Sequence, residues 1–186
     1  MILLGLGVVL FAACHLTLAV PQANDALTRR FGKTYAASFG LLSLVPLALI
    51  ILGWRMSPFV RVYDPPPSGR IATFILVLAG FLCLGVFLFR GSFRLRLRFP
   101  LAWAVVFWSV GHLFANGDGA SLVLFGGMLI YALAHLGLGM ANGIRPSPVL
   151  RQGHDVLSIV IGTALYGVAA QSHALFTGVP VLALSP

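Results

Sequence analysis

The stretch that decides the fold is residues 99–141, FPLAWAVVFWSVGHLFANGDGASLVLFGGMLIYALAHLGLGMA. Its one charged side chain is Asp118, in the short segment Ala115-Asn116-Gly117-Asp118-Gly119. Asn-Gly and Asp-Gly tolerate the positive φ angles of a tight reversal. The runs on either side approach the roughly 20 apolar residues that carry a helix across a 30 Å hydrocarbon core. The segment therefore reads as an antiparallel pair of membrane helices packed along their lengths. Small residues on the second helix (Gly126, Gly127, Ala132, Gly137, Gly139 and Gly143) permit close approach, including a Gly139-x-x-x-Gly143 pair.

Working outward, the same pattern recurs along the whole chain. All sixteen acidic and basic side chains lie at positions 25–33, 55–70, 90–98, 118 and 145–155. The intervening runs 2–20, 34–54, 71–89, 99–117, 119–141 and 156–186 carry none. A hydrophobic fraction of 59% with 9% charged residues is far from soluble composition. No roughly ten-residue alternation suggests a barrel, and helices satisfy their own backbone in lipid. The reading is an all-α, polytopic bundle of six spans at about 2–20, 34–53, 71–89, 99–116, 120–141 and 156–175, one domain over 1–186. Gly178 and Pro180 mark the end of the last run as a bent or interfacial tail.

The net charge of +8 belongs to loops, not to a nucleic-acid surface. Arg29, Arg30, Lys33, Arg90, Arg94, Arg96, Arg98, Arg145 and Arg151 fall in loops one, three and five; Arg55, Arg61 and Arg70 flank or occupy loop two. The positive-inside rule then puts both termini in the periplasm. Residues 1–20 read as a retained helix, because Pro21 follows the apolar run directly and suits a signal-peptide cleavage site poorly. Cys14 and Cys83 lack any CxxC or CxxCH spacing, which argues against zinc, thioredoxin chemistry and covalent haem. In loop two, Pro65-Pro66-Pro67 imposes an extended crossing. Loop three, Arg90 to Arg98, alternates basic and apolar residues, suited to anionic headgroups, an acidic partner or cofactor propionates.

The titratable groups at membrane depth are histidines: His15, His112, His135 and, near the end of the last run, His173. An ionisable residue in hydrocarbon needs a partner and marks a functional site by default. His154, before Asp155 at a helix start, reads as a capping residue. Imidazoles from facing helices can clamp haem b without a covalent link, whereas copper or non-haem iron would want a carboxylate that no span supplies. By depth, His15 and His135 both lie about 6 Å beyond the midplane on one side and His112 about 7 Å on the other. Depth therefore pairs His15 with His135. Asn116, one turn from His112, can offer its amide to the imidazole nitrogen left free by ligation, and Asp118 can cap the following helix.

Arg98-Phe99-Pro100, Trp108-Ser109-Val110-Gly111-His112-Leu113-Phe114-Ala115-Asn116-Gly117-Asp118 and Ala120-Ser121-Leu122-Val123-Leu124-Phe125-Gly126 resemble the signature of the NnrU family. His15-Leu16, Arg30-Phe31-Gly32, Phe39-Gly40-Leu41-Leu42-Ser43-Leu44 and the triple proline add to the resemblance over about residues 1–145. It implies a bacterial inner-membrane protein linked to nitric oxide and denitrification metabolism, similar to zeta-carotene isomerase (Z-ISO). That enzyme uses haem b to isomerise a carotenoid double bond. The resemblance implies haem iron held by His15 and His112, with His135 the alternative from depth. Phe99 and Ser109 depart from the pattern, where the family has histidine and the isomerase has cysteine. The expected function is a haem b membrane protein, isomerase-like or redox-linked if an enzyme, acting on a carotenoid-like molecule or in nitric oxide metabolism. The alternative is a non-enzymatic accessory or assembly subunit of a larger membrane complex. Solute transport is disfavoured, since no intramembrane charge and no clear inverted repeat is present.

Overall fold

In the computed structural model, which describes residues 1–148 and 150–181, the chain is all-helical and the described residues form no strand. Helix α1 (Ile2–Leu16) runs through a 3-10 turn into the short polar α2 (Pro21–Phe31), then α3 (Tyr35–Met56) and α4 (Gly69–Leu88). A short α5 (Ser92–Leu97) precedes α6 (Pro100–Ala115). One span is composite: α7 (Gly119–Ser121) continues through a π turn (Leu122–Gly126) into α8 (Gly127–Ala141). Helix α9 (His154–Thr177) is last. A helix stands at each of the six expected positions, its ends displaced by a turn or less.

Five segments are long and apolar enough to cross a bilayer: Ile2–Ala19, Pro21–Met56, Gly69–Leu88, Gly119–Ala141 and His154–Leu175. The apolar α6 has 16 residues, about 24 Å of helix at 1.5 Å per residue. Outward-facing side chains are apolar at mid-span, Ile75 being 64% and Ile130 71% exposed, as a lipid-facing surface requires.

The principal packing runs as a row, α3–α1–α8–α6–α4–α9, with the α6–α8 hairpin at its centre. Small residues set the contacts at both ends of the row. A methyl group at Gly7 would lie 2.8 Å from the Ile50 backbone nitrogen, and one at Gly162 2.7 Å from the Phe81 carbonyl oxygen. Close backbone approach substitutes here for the hydrophobic drive that lipid removes. The Gly139-x-x-x-Gly143 pair is divided between two tasks. Gly139 makes room for the Phe99 ring, while Gly143, at φ 67°, ends α8. The end helices α3 and α9 share no extensive packing among the described residues, so the row is an open arc.

The two ends of the bundle are tied differently. At one end the irregular second loop runs beside the fourth: the Val62 N–H donates to Gly117 carbonyl at 2.8 Å and Gly119 N–H to Val60 carbonyl at 2.8 Å. Met1 lies against Gly119 there, and Arg70 donates to the Val181 carbonyl at 2.9 Å, so both ends of the described chain are at this face. Loops one, three and five gather at the other end. Asn142 donates to the Ala19 carbonyl at 3.0 Å and Arg98 to that of Ile144 at 2.7 Å. Asp155 accepts from the N–H groups of Ser92 (3.0 Å) and Phe93 (2.9 Å), capping α5 in loop three. His154 is the first residue of its helix and Gly153 holds the N-cap position; the His154 Nδ1 accepts from the Arg90 N–H at 3.1 Å instead. The bent tail expected after Gly178 is seen as far as Val181, and residues 182–186 lie outside the described residues.

Candidate functional site

On the concave side of the arc, between α3 and α9, lies a cavity of about 380 Å³. Its walls are largely apolar: Trp54 from α3, Phe74 and Phe81 from α4, Trp108 from α6, Phe125 from the π turn and Tyr166 from α9. Into this setting α6 and α9 each place one imidazole, His112 and His173. Arg55 is the one cation among the lining residues, and no acidic side chain joins them.

Each imidazole is oriented by backbone. His112 Nδ1 lies 2.8 Å from the Trp108 carbonyl oxygen, one turn earlier on the same helix. A carbonyl only accepts, so the proton sits on Nδ1 and Nε2 keeps its lone pair. His173 Nδ1 is likewise 2.9 Å from the Val179 carbonyl and 3.0 Å from the Thr177 hydroxyl. This second arrangement depends on the end of α9. Gly178, at φ 78°, reverses the chain and brings Val179 back over the last turn. The Val179 N–H donates to Thr177 Oγ1 at 3.1 Å, closing the loop. The two ring centres are 6.4 Å apart with planes inclined by 18°. Phe125 packs against the face of His112, ring centres 4.5 Å apart, and against Trp108 at 4.8 Å.

His15 and His135 belong to a different group. His15 is packed on Phe11, ring centres 3.9 Å apart, with Nδ1 2.9 Å from the Phe11 carbonyl. Tyr131 stands between the pair, 6.3 Å from His15 and 6.0 Å from His135. His135 Nδ1 is buried without a hydrogen-bond partner. Phe125 neighbours His112 and Tyr131 neighbours His15, and six residues of helix separate these markers by about 9 Å of rise. The structure thus gathers His15 with His135 and His112 with His173. It does not bring His15 and His112 to one point.

Asn116 lines the cavity, but its amide donates to the His112 backbone carbonyl at 2.8 Å, not to the ring, whose Nδ1 Trp108 already holds. Tyr63 also supports this turn by donating to the carbonyls of Leu113 and Asn116, the latter at 2.8 Å. Burial, followed by the nearby Asp118 carboxylate, pushes the Tyr63 hydroxyl up, so it remains a donor. Asp118 caps the next helix as expected, accepting from Ser121 N–H at 3.0 Å. Ser109 is fully buried with an unpartnered hydroxyl and stands outside the cavity lining.

His173 and Phe125 are the cavity-lining residues hardest to place from sequence. For His173, Gly178 and Pro180 suggest a bend just beyond it, but nothing local shows that the Val179 carbonyl returns to its ring. Phe125 needs a π turn that no spacing announces.

Among the described residues no group of three or more His, Cys, Asp and Glu could hold a metal ion. No curated protein and no solved structure matches the chain. A family profile described as "NnrU protein" matches residues 3–181, reaching through α9 and past the stretch that carries the sequence motifs. With its apolar spans, the His-Leu-Phe-Ala-Asn-Gly-Asp turn and this match over nearly the whole chain, the protein belongs to the NnrU family of membrane proteins.

Proposed function

We propose that this chain is an intramembrane haem b protein whose cofactor sits in the cavity against His112. The observation that carries the reading is an apolar cavity lined by His112, whose Nε2 the Trp108 contact leaves unprotonated, with no group of three His, Cys, Asp or Glu among the described residues to hold a bare ion. A bare ion would need more such ligands, whereas a haem carries its own nitrogen donors and would ask the protein for an imidazole, which His112 would supply. The apolar lining suits a macrocycle face, and the Arg55 guanidinium at the cavity suits its carboxylates. When bound, haem would supply an iron site able to take nitric oxide or to polarise a double bond of a carotenoid-like molecule.

The chain's own contribution is positioning and exclusion of water. The Trp108 carbonyl fixes the His112 tautomer and ring angle, and Phe125 blocks one face of that ring. The aromatic walls keep the site dry and hold a flat apolar partner by area and ring contacts. Loop three lies at the opposite end from the His112 group, too far to reach a group held there, and its basic residues suit anionic headgroups. The setting is the bacterial cytoplasmic membrane, with both termini periplasmic.

The test is spectroscopic. Protein purified in detergent after haem-supplemented expression should show a Soret band, and His112→Ala should lose or strongly weaken it, whereas His154→Ala should not. A wild-type protein that stays colourless under haem loading would leave the accessory-subunit reading in its place.

A further inference from the structure

We propose that a cleft between α1, α2 and α3 holds one anionic phospholipid, with an acyl chain inside and the phosphate against loop one. The cleft shares no lining residue with the His112 cavity, and the proposal does not depend on the haem reading.

Helices α1 and α3 meet at backbone distance toward the end where Met1 lies. There a methyl group at Gly53 would stand 2.4 Å from the Leu4 backbone nitrogen, and one at Gly7 2.8 Å from that of Ile50. Pro46 then interrupts α3, and a proline inside a helix removes a hydrogen bond and bends the axis. Beyond it, toward loop one, the same two helices leave a cleft of about 310 Å³. Cys14 and Thr17 line it from α1, Phe39 and Leu42 from α3, and Leu27 and Phe31 from α2.

The hydroxyls on these walls are mostly spent within the protein. Thr17 donates to the Cys14 carbonyl at 2.6 Å. Tyr35 donates to the Asn24 side chain at 2.8 Å, which pins α2 to the start of α3. What remains is apolar area on three sides, and a methylene chain covers that without leaving a polar group unpaired.

The same short helix that supplies Leu27 and Phe31 also carries the charge. Arg29 and Arg30 lie in the last turn of α2, and Lys33 follows in the 3-10 turn Gly32–Thr34. All three are exposed, and none is ion-paired among the described residues. Asp25 is the one acid of this loop. Three cations against one carboxylate favour a headgroup with net negative charge over a zwitterionic one, which brings its own cation to the same place. Loop three is also basic, but its residues line neither cavity. Loop one differs in having a slot for the chain beside the charge.

The experiment uses the full-length protein in mild detergent with phosphatidylglycerol or phosphatidylcholine of identical chains, one chain bearing a photoactivatable diazirine. Native mass spectrometry should show a single phosphatidylglycerol retained where phosphatidylcholine is stripped, a preference of several-fold. Illumination and peptide mapping should place its adducts on residues 13–17 and 38–42, which line the cleft. Arg29→Gln combined with Arg30→Gln and Lys33→Gln should erase the preference, whereas Arg94→Gln with Arg96→Gln should keep it. Ala13→Phe, which fills the cleft, should remove the adducts; if it does not fold, the wild-type adduct map decides. Equal retention of the two lipids, or adducts spread evenly over the outer faces of α4 and α9, would mean ordinary surrounding lipid and overturn the proposal. Adducts displaced by oleate but not by unlabelled phosphatidylglycerol would overturn it in favour of a free fatty acid.

Discussion

Around His112 a few polar atoms determine how the turn after α6 is built. Tyr63 hands one hydroxyl proton to two carbonyls, Leu113 and Asn116, that the helix leaves without amide partners. Tyr63→Phe should therefore destabilise the fold by about 1–2 kcal/mol, measured as a loss of thermal stability in detergent, with haem affinity falling less than in His112→Ala. Asp118→Ala removes the cap on Ser121 and should cost about 1 kcal/mol, recovered in large part by Asp118→Asn. For Asn116 the contact to the His112 backbone carbonyl means that Asn116→Gly should loosen the end of α6 and reduce haem retention only modestly, read as a faster haem loss rate. Much of this was legible beforehand, because His112, Asn116 and Asp118 lie within seven consecutive positions and Asp118 obeys local capping chemistry. Tyr63 was not. It is 50 residues from Leu113, and nothing within its own proline-rich loop says which carbonyls it will meet.

Among the elements, the spans were the easiest to read, because absence of charge over about 20 residues is a solvent constraint with few solutions. The π turn at Leu122–Gly126 shows where that constraint stops being informative. One extra residue per turn is invisible to hydropathy, yet it accompanies the placement of Phe125 among Trp54, Trp108 and His112. Such bulges are typically single-residue insertions at functional positions. Deleting Val123 should restore α-helical winding, keep the protein in the membrane and weaken haem retention by moving Phe125 off His112; measured haem occupancy per folded protein would check this. Gly178 is the matching case at the end of α9. A side chain there must adopt φ near 78° at a cost of roughly 1–2 kcal/mol, so Gly178→Val should disturb the Val179 carbonyl over His173 and alter the haem spectrum more than the fold. A glycine near a chain end is weak information in sequence; its weight here comes from what the reversed chain touches.

As a whole, the molecule sorts its loops by charge. Three loops carrying nine basic residues meet at one end, while Met1 and Val181 lie at the other, with loops two and four. Reporter tags on the two termini should thus be found on one and the same side of the membrane, the periplasmic side, and opposite labelling of the two would contradict the six-span topology. The row of helices also never closes. Because α3 and α9 share no extensive packing among the described residues, an apolar ligand dissolved in the hydrocarbon has a lateral route to the cavity between them. Its apparent affinity, if referred to total concentration in solution, then contains a partition coefficient: each added methylene would tighten apparent binding by about 0.8 kcal/mol through enrichment in the bilayer alone, before any contact with the protein is made. Apparent affinities of a homologous series measured in liposomes should rise by that increment per methylene, and should stop rising once they are referred to the concentration in the bilayer.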